Sequence, residues 1–131
     1  NFSNYGKNEV DVFAPGVKIY ATVPGGNTYR DLQGTSMASP VVAGLAAFIL
    51  EYYPNLSAAQ VKMVIEKSAT KPAVDVKNPG GPDMVKLSEL SRSGGIINAY
   101  EAIKLASTIK GERKPTPAKP IKSTVKPKVK G

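Results

Sequence analysis

The residues best suited to chemistry lie in one run, Gly34-Thr35-Ser36-Met37-Ala38-Ser39-Pro40-Val41-Val42-Ala43-Gly44. A hydroxyl at the first turn of an apolar helix has three advantages. The first-turn N–H groups have no partner inside the helix and can hold a developing oxyanion. The helix N-terminus carries partial positive charge, which favours negative charge building beside it. Gly34 and Ala38 add little bulk, so a substrate backbone could come close. Thr35 or Ser36 could equally be an ordinary N-cap, which is what most Ser and Thr residues at such positions are. The run by itself leaves both roles open.

Several elements must position this serine. Residues 10 to 13 form a short β-favouring run closed by Ala14-Pro15-Gly16. Val17 to Val23 then alternates apolar and polar residues, the period of a half-buried strand. Pro24-Gly25-Gly26-Asn27 supplies turn chemistry, and Thr28 to Leu32 returns as a partner strand that delivers the chain to Gly34. Met37 to Tyr53 is apolar or small on every side, which predicts a helix buried all round, with its start at or just before Ser36 and Met37. Pro40 then belongs in the first turn, where its missing N–H costs nothing. Ser57-Ala58-Ala59-Gln60 is a capping-box pattern opening a second helix with Val61, Val64 and Ile65 on one face. Residues 70 to 94 hold so many Pro and Gly residues that they read as a surface excursion. A third helix starts near Asn98, with Asn98 and Glu101 as cap and reciprocal partner, an apolar stripe of Ala99, Ala102, Ile103 and Ala106, and an end near Gly111.

The 131 residues carry 18 Lys and Arg against 10 Asp and Glu, a net charge of +8. Eight of the basic residues and one acid, Glu112, lie from Lys110 onward, which leaves ten against nine in residues 1 to 109. The basicity belongs to a Lys/Pro tail that has too few large hydrophobes to order itself and is expected to be disordered. Such a tail could contact anionic surfaces, but it has no aromatic residue to stack on bases, so specific nucleic-acid binding is not expected. A linker is the other reading. With no cysteine there is neither disulfide nor thiolate chemistry. The longest apolar run, Val41 to Leu50, is too short to span a bilayer and is broken by Gly44, so no transmembrane segment is expected. The chain starts at Asn1 without a methionine and reads as cut from something longer.

The string from Gly34 to Pro40, followed by Val42-Ala43-Gly44, resembles the serine-region signature of the subtilisin-like (subtilase, peptidase S8) serine proteases. Phe2-Ser3-Asn4-Tyr5-Gly6, Val10-Asp11-Val12-Phe13-Ala14-Pro15-Gly16, the Pro-Gly-Gly-Asn hairpin, Leu56 to Lys62 and Gly95-Ile96-Ile97-Asn98-Ala99 look like further landmarks in the family's order. The likeness covers about residues 1 to 109, with an apparent insertion near 74 to 93.

The resemblance implies an α/β fold. Residues 1–110 would be the C-terminal portion of a mainly parallel sheet sandwiched by helices, and 111–131 a disordered tail or linker. It implies a serine endopeptidase acting on polypeptides, exported as the family usually is, in which Ser36 is the nucleophile and its backbone N–H an oxyanion-hole donor. Gln33, Gly34 and Thr35 would lie at the substrate rim, with Tyr29 to Leu32 near it and Ala14-Pro15-Gly16 below the serine. In the family the triad runs Asp, His, Ser. The other members and the oxyanion amide would therefore lie upstream of Asn1, and Asp11, Asp31, Asn4 and Asn27 are not substitutes. The chain contains no histidine, so it is expected to be inactive alone. Val41 stands where the family often has a non-catalytic histidine. Glu9 and Asp11 occupy a stretch that lines a cation site in some subtilases. Two acids are as well read as solvated charges, so metal is unassigned; no cofactor is expected, and a structural calcium in the parent cannot be placed here. The competing class is a noncatalytic, protease-like module with a polyanion-binding tail.

Overall fold

A computed structural model of the chain describes residues 3–26 and 28–114. Asn27 of the expected turn and residues 115–131 of the expected disordered tail lie outside the described residues. Strands and helices are mixed, as in α/β proteins, and three helices meet around one core.

Strands β1 (Ile19–Val23) and β2 (Thr28–Leu32) pair antiparallel, with Ile19 opposite Leu32 and Val23 opposite Thr28. The alternation that predicts β1 survives as alternating burial, although the strand starts two residues later than its pattern. Tyr20 and Tyr29 stack with ring centroids 5.5 Å apart on the outer face of this hairpin. β2 runs within three residues into helix α1 (Thr35–Tyr52), so a rigid ladder fixes where the serine helix begins.

Helix α2 (Ala58–Ser68) starts with the capping box its sequence predicts. Ser57 Oγ accepts the Gln60 N–H at 3.3 Å, and Gln60 Oε1 accepts the Ser57 N–H at 2.9 Å. Its Val61, Val64 and Ile65 are buried against Leu45 and Ile49 of α1 and Ala102 and Ala106 of helix α4 (Ala99–Ala106). The alanines let α4 approach closely, and each buried Leu, Ile or Val contributes about 1.5–3 kcal/mol. Asn98 caps α4 by accepting the Glu101 N–H at 3.0 Å. The reciprocal bond expected of Glu101 is replaced by a 3.8 Å ion pair with Lys104. α4 ends at Ala106, and turns through Ile109 carry the chain on toward Gly111.

Two expectations need correction. Residues 70 to 94 are not merely an irregular excursion: they contain a short hairpin of β3 (Val76–Lys77) and β4 (Met84–Val85) and a single helical turn α3 (Leu87–Leu90). Leu90 and Ser91 are buried, because the segment after α3 runs beside residues 10–13. Val10 and Asp11 carbonyls accept the N–H groups of Arg92 and Ser93, and Phe13 forms a parallel bridge with Ile96, which also bridges antiparallel to Thr70. Nor is α1 buried all round. Only Leu45 and Ile49 are fully buried, while Phe48 and Tyr52 stand 47 % and 63 % exposed. The apolar composition anticipated a cover that the described residues do not supply. α1 also outruns the apolar stretch from Val41 to Leu50, and among the described residues it is the one helix long and apolar enough to cross a membrane by length and composition.

Candidate active site

The N-cap of α1 is Gly34, not Thr35 or Ser36, and no side chain caps the helix. Gly34 lies at φ 142, ψ 166, a region open essentially to glycine alone. Its N–H donates to the Gly16 carbonyl at 2.7 Å, and its own carbonyl accepts the Met37 N–H at 3.0 Å. Gly16 must also be small: a Cβ there would come within 2.8 Å of the Gly34 carbonyl oxygen and 3.4 Å of the Ala38 Cβ. The turn after Phe13 therefore lies directly under the start of α1, where Ala14-Pro15-Gly16 were expected.

This start leaves donors free. Neither Thr35 nor Ser36 gives its N–H to any acceptor among the described residues. No acidic residue sits in the first turn to neutralise the partial positive charge there. Pro40 is the sixth helical residue and not part of the first turn, because the helix begins at Thr35. Lacking an N–H, it deprives the Ser36 carbonyl of its usual partner four residues on. Ser36 thus has an unbonded N–H and a carbonyl without its usual donor four residues on, and the residue is exposed to solvent.

The expected site residues divide between two faces. Thr35, Ala38, Ser39 and Val42 recur at helical spacing and, with Gly34 and Gly16, line an open groove of about 680 Å³ whose other wall includes Val10, Val12, Phe13 and Ala14. Ser36 lies about 100° further round the helix. It shares the exposed face with Pro40, Ala43 and Ala47, outside the groove lining, and Gln33 is likewise exposed and outside it. Ser3, Asn4 and Glu9 also line the groove, which was not anticipated. The small size of Gly16 and Ala38 was the available sign that these segments touch.

Asp11 belongs to a different cluster. Its carboxylate pairs with Lys62 and lies 3.8 Å from Arg92, while Lys62 Nζ is 2.6 Å from Glu66 Oε1. That last contact is an ion pair without a well-directed hydrogen bond, since Glu66 Oε1 is buried and takes none. The Lys62 hydrogen bond holds the Asp11 carboxyl below its usual range, and Asp11 and Glu66 together hold Lys62 above its own. Asp11 is therefore occupied by cations of the chain itself, and Glu9 Oε2 accepts the Asn8 N–H. Among the described residues no three His, Cys, Asp or Glu side chains cluster as a metal site would need.

The family model of the subtilase family matches residues 1–93. The match spans residues 74 to 93, where an insertion is expected, and stops short of the landmark at Gly95 to Ala99. Over 70 residues the chain is 56% identical to subtilisin DY of Bacillus licheniformis, covering 53% of the chain and 25% of that relative. It is 53% identical to subtilisin E of Bacillus subtilis strain 168, covering 53% of the chain and 18% of the relative. Isp6 of Schizosaccharomyces pombe, a putative subtilase-type proteinase of sexual differentiation by its name, is 52% identical over 67 residues, 50% of the chain and 14% of the relative. The solved structure of the patellamide maturation protease PatA aligns with a TM-score of 0.49 and 28% identity, covering 74% of this chain and 34% of that one. The chain spans a quarter or less of the length of these curated relatives. With residues 1–93 matched, Ser36 at the uncapped start of α1 among them, the chain belongs to the subtilase family.

Proposed function

We propose that Ser36 is the nucleophile of a serine endopeptidase whose remaining catalytic groups come from outside these 131 residues. The observation that carries this reading is the uncapped start of α1: a serine beside unclaimed N–H groups, held by a glycine-only turn. In the proposed reaction Ser36 Oγ attacks the carbonyl carbon of a peptide bond. Its proton passes to a base and then to the leaving amine, and water later releases the acyl group. The Ser36 N–H faces the oxyanion at the helix's positive end. Gly34 and Thr35 receive the substrate backbone, with Gln33 at the rim. No cofactor enters this chemistry.

The base cannot be a histidine of this chain, which has none. The chain alone is therefore inactive in this reading. The exposed apolar face of α1 and the parallel pairing of residues 10–13 with 92–97 support the finer fold, a mainly parallel sheet sandwiched by helices to which this chain gives the C-terminal portion. The substrates are polypeptides and the full-length protein is exported, both by analogy with the family. The test is hydrolysis of casein by the full-length protein. Ser36→Ala is expected to abolish it; undiminished hydrolysis by that variant would remove Ser36 from the mechanism.

A further inference from the structure

The side chain of Gln60 does more than cap α2. It is 9% exposed, and its oxygen accepts a second N–H, that of Glu112, at 3.1 Å. Its Nε2 donates to the Lys110 carbonyl at 2.9 Å. Beside it the Arg113 N–H donates to the Asn55 carbonyl at 2.7 Å. Gly111 lies so close to Asn55 that an added Cβ would overlap the Asn55 carbonyl. One amide thus joins the start of α2 to a segment fifty residues later, with both of its oxygen lone pairs used.

We infer that Gln60 is a clamp that locks residues 110–113 across the loop joining α1 and α2 and so fixes where the lysine-rich tail departs. That point lies beyond the last residue of α1, while Ser36 is its second, so the two are roughly 25 Å apart at 1.5 Å per residue. The tail starts at the pole opposite the serine. A polyanionic partner held by the tail's first lysines would leave the entrance to the serine open. That consequence rests on Ser36 being the nucleophile; the clamp does not.

Two variants separate the clamp from the helix cap. Gln60→Glu keeps an oxygen for Ser57 and puts an acid in the first turn of α2, which favours that helix, but it loses the donor to Lys110. Gly111→Ala pushes the segment off Asn55 without touching α2. Amide hydrogen exchange on the full-length protein, carrying Ser36→Ala to prevent self-digestion, reads both. The Glu112 and Arg113 amides are expected to exchange about tenfold faster in each variant, the equivalent of one hydrogen bond, while Val61 in α2 exchanges no faster. Unchanged Glu112 and Arg113 rates in both variants would overturn the clamp. Equal acceleration of Val61 in Gln60→Glu would also overturn it, since Gln60 would then be a cap and nothing more.

Discussion

Helices α1 and α2 begin in opposite ways. At α2 a side-chain cap is in place: Ser57 and Gln60 close a reciprocal capping box that takes the Gln60 N–H, although the Ala58 and Ala59 N–H groups have no acceptor among the described residues. At α1 the cap is a glycine, the first-turn N–H groups of Thr35 and Ser36 are unclaimed, and a proline interrupts the ladder at its sixth residue. Both helices pack into the same core through Val64 and Ile49. The difference is one of purpose. A helix start closed by a reciprocal side-chain cap adds stability, whereas one without such a cap leaves the approach to its donors clear for something that binds there. Stability is commonly given up where function needs strain.

The largest expected effect falls at the open end. Replacing Gly34 by alanine forces a Cβ into a glycine-only conformation at a cost of about 1–3 kcal/mol, and relief by rotation would displace Ser36. Casein hydrolysis by the full-length protein should fall at least about a hundredfold, since an ångström of misplacement already costs that much. Near-native hydrolysis by Gly34→Ala would mean that the turn does not set the geometry.

At the closed end the effect should be on stability alone. Ser57→Ala removes one cap acceptor and should lower unfolding free energy by about 1 kcal/mol, read as a shift in urea midpoint, with kcat/KM unchanged. If it lowered activity as much as it lowered stability, the contrast between the two helix starts would fail.

Ease of reading from sequence follows the same divide. The capping box of α2 and the pairing of Thr28 to Leu32 were legible because each is fixed by residues a few positions apart. The subtilase signature made the serine segment legible too, but as a resemblance; residue chemistry alone left Ser36 as a plausible cap. The order in residues 84 to 97 was not legible. It depends on Gly6 donating to Leu90 and on Arg92 and Ser93 donating to Val10 and Asp11, partners some eighty residues away that no local pattern records. α1 misled because composition reports that a face must be covered and not what covers it. Gln60 was read as half of a capping box, and its bonds to Lys110 and Glu112 needed the fold.

The smallest effect concerns the Asp11 pair. Its folded carboxyl titrates below the ordinary 3.8, so the stability it contributes is present above that value and is lost as pH falls through the folded one. Both partners are about half exposed, so Asp11→Asn should cost under about 1 kcal/mol at neutral pH, less in high salt and progressively less as the pH falls below 3.8. Urea unfolding at pH 7 and pH 2 distinguishes this from a packing effect, which would persist in acid.

The claim on which the rest depends is that the open start of α1 holds a nucleophile that needs partners from beyond this chain. Labelling by a fluorophosphonate, mapped by peptide mass, tests it most directly. Rapid stoichiometric modification of Ser36 is expected in the full-length protein, and no appreciable labelling of the 131-residue chain by itself. Equal labelling of the isolated chain, or modification of the full-length protein at a residue other than Ser36, would contradict it.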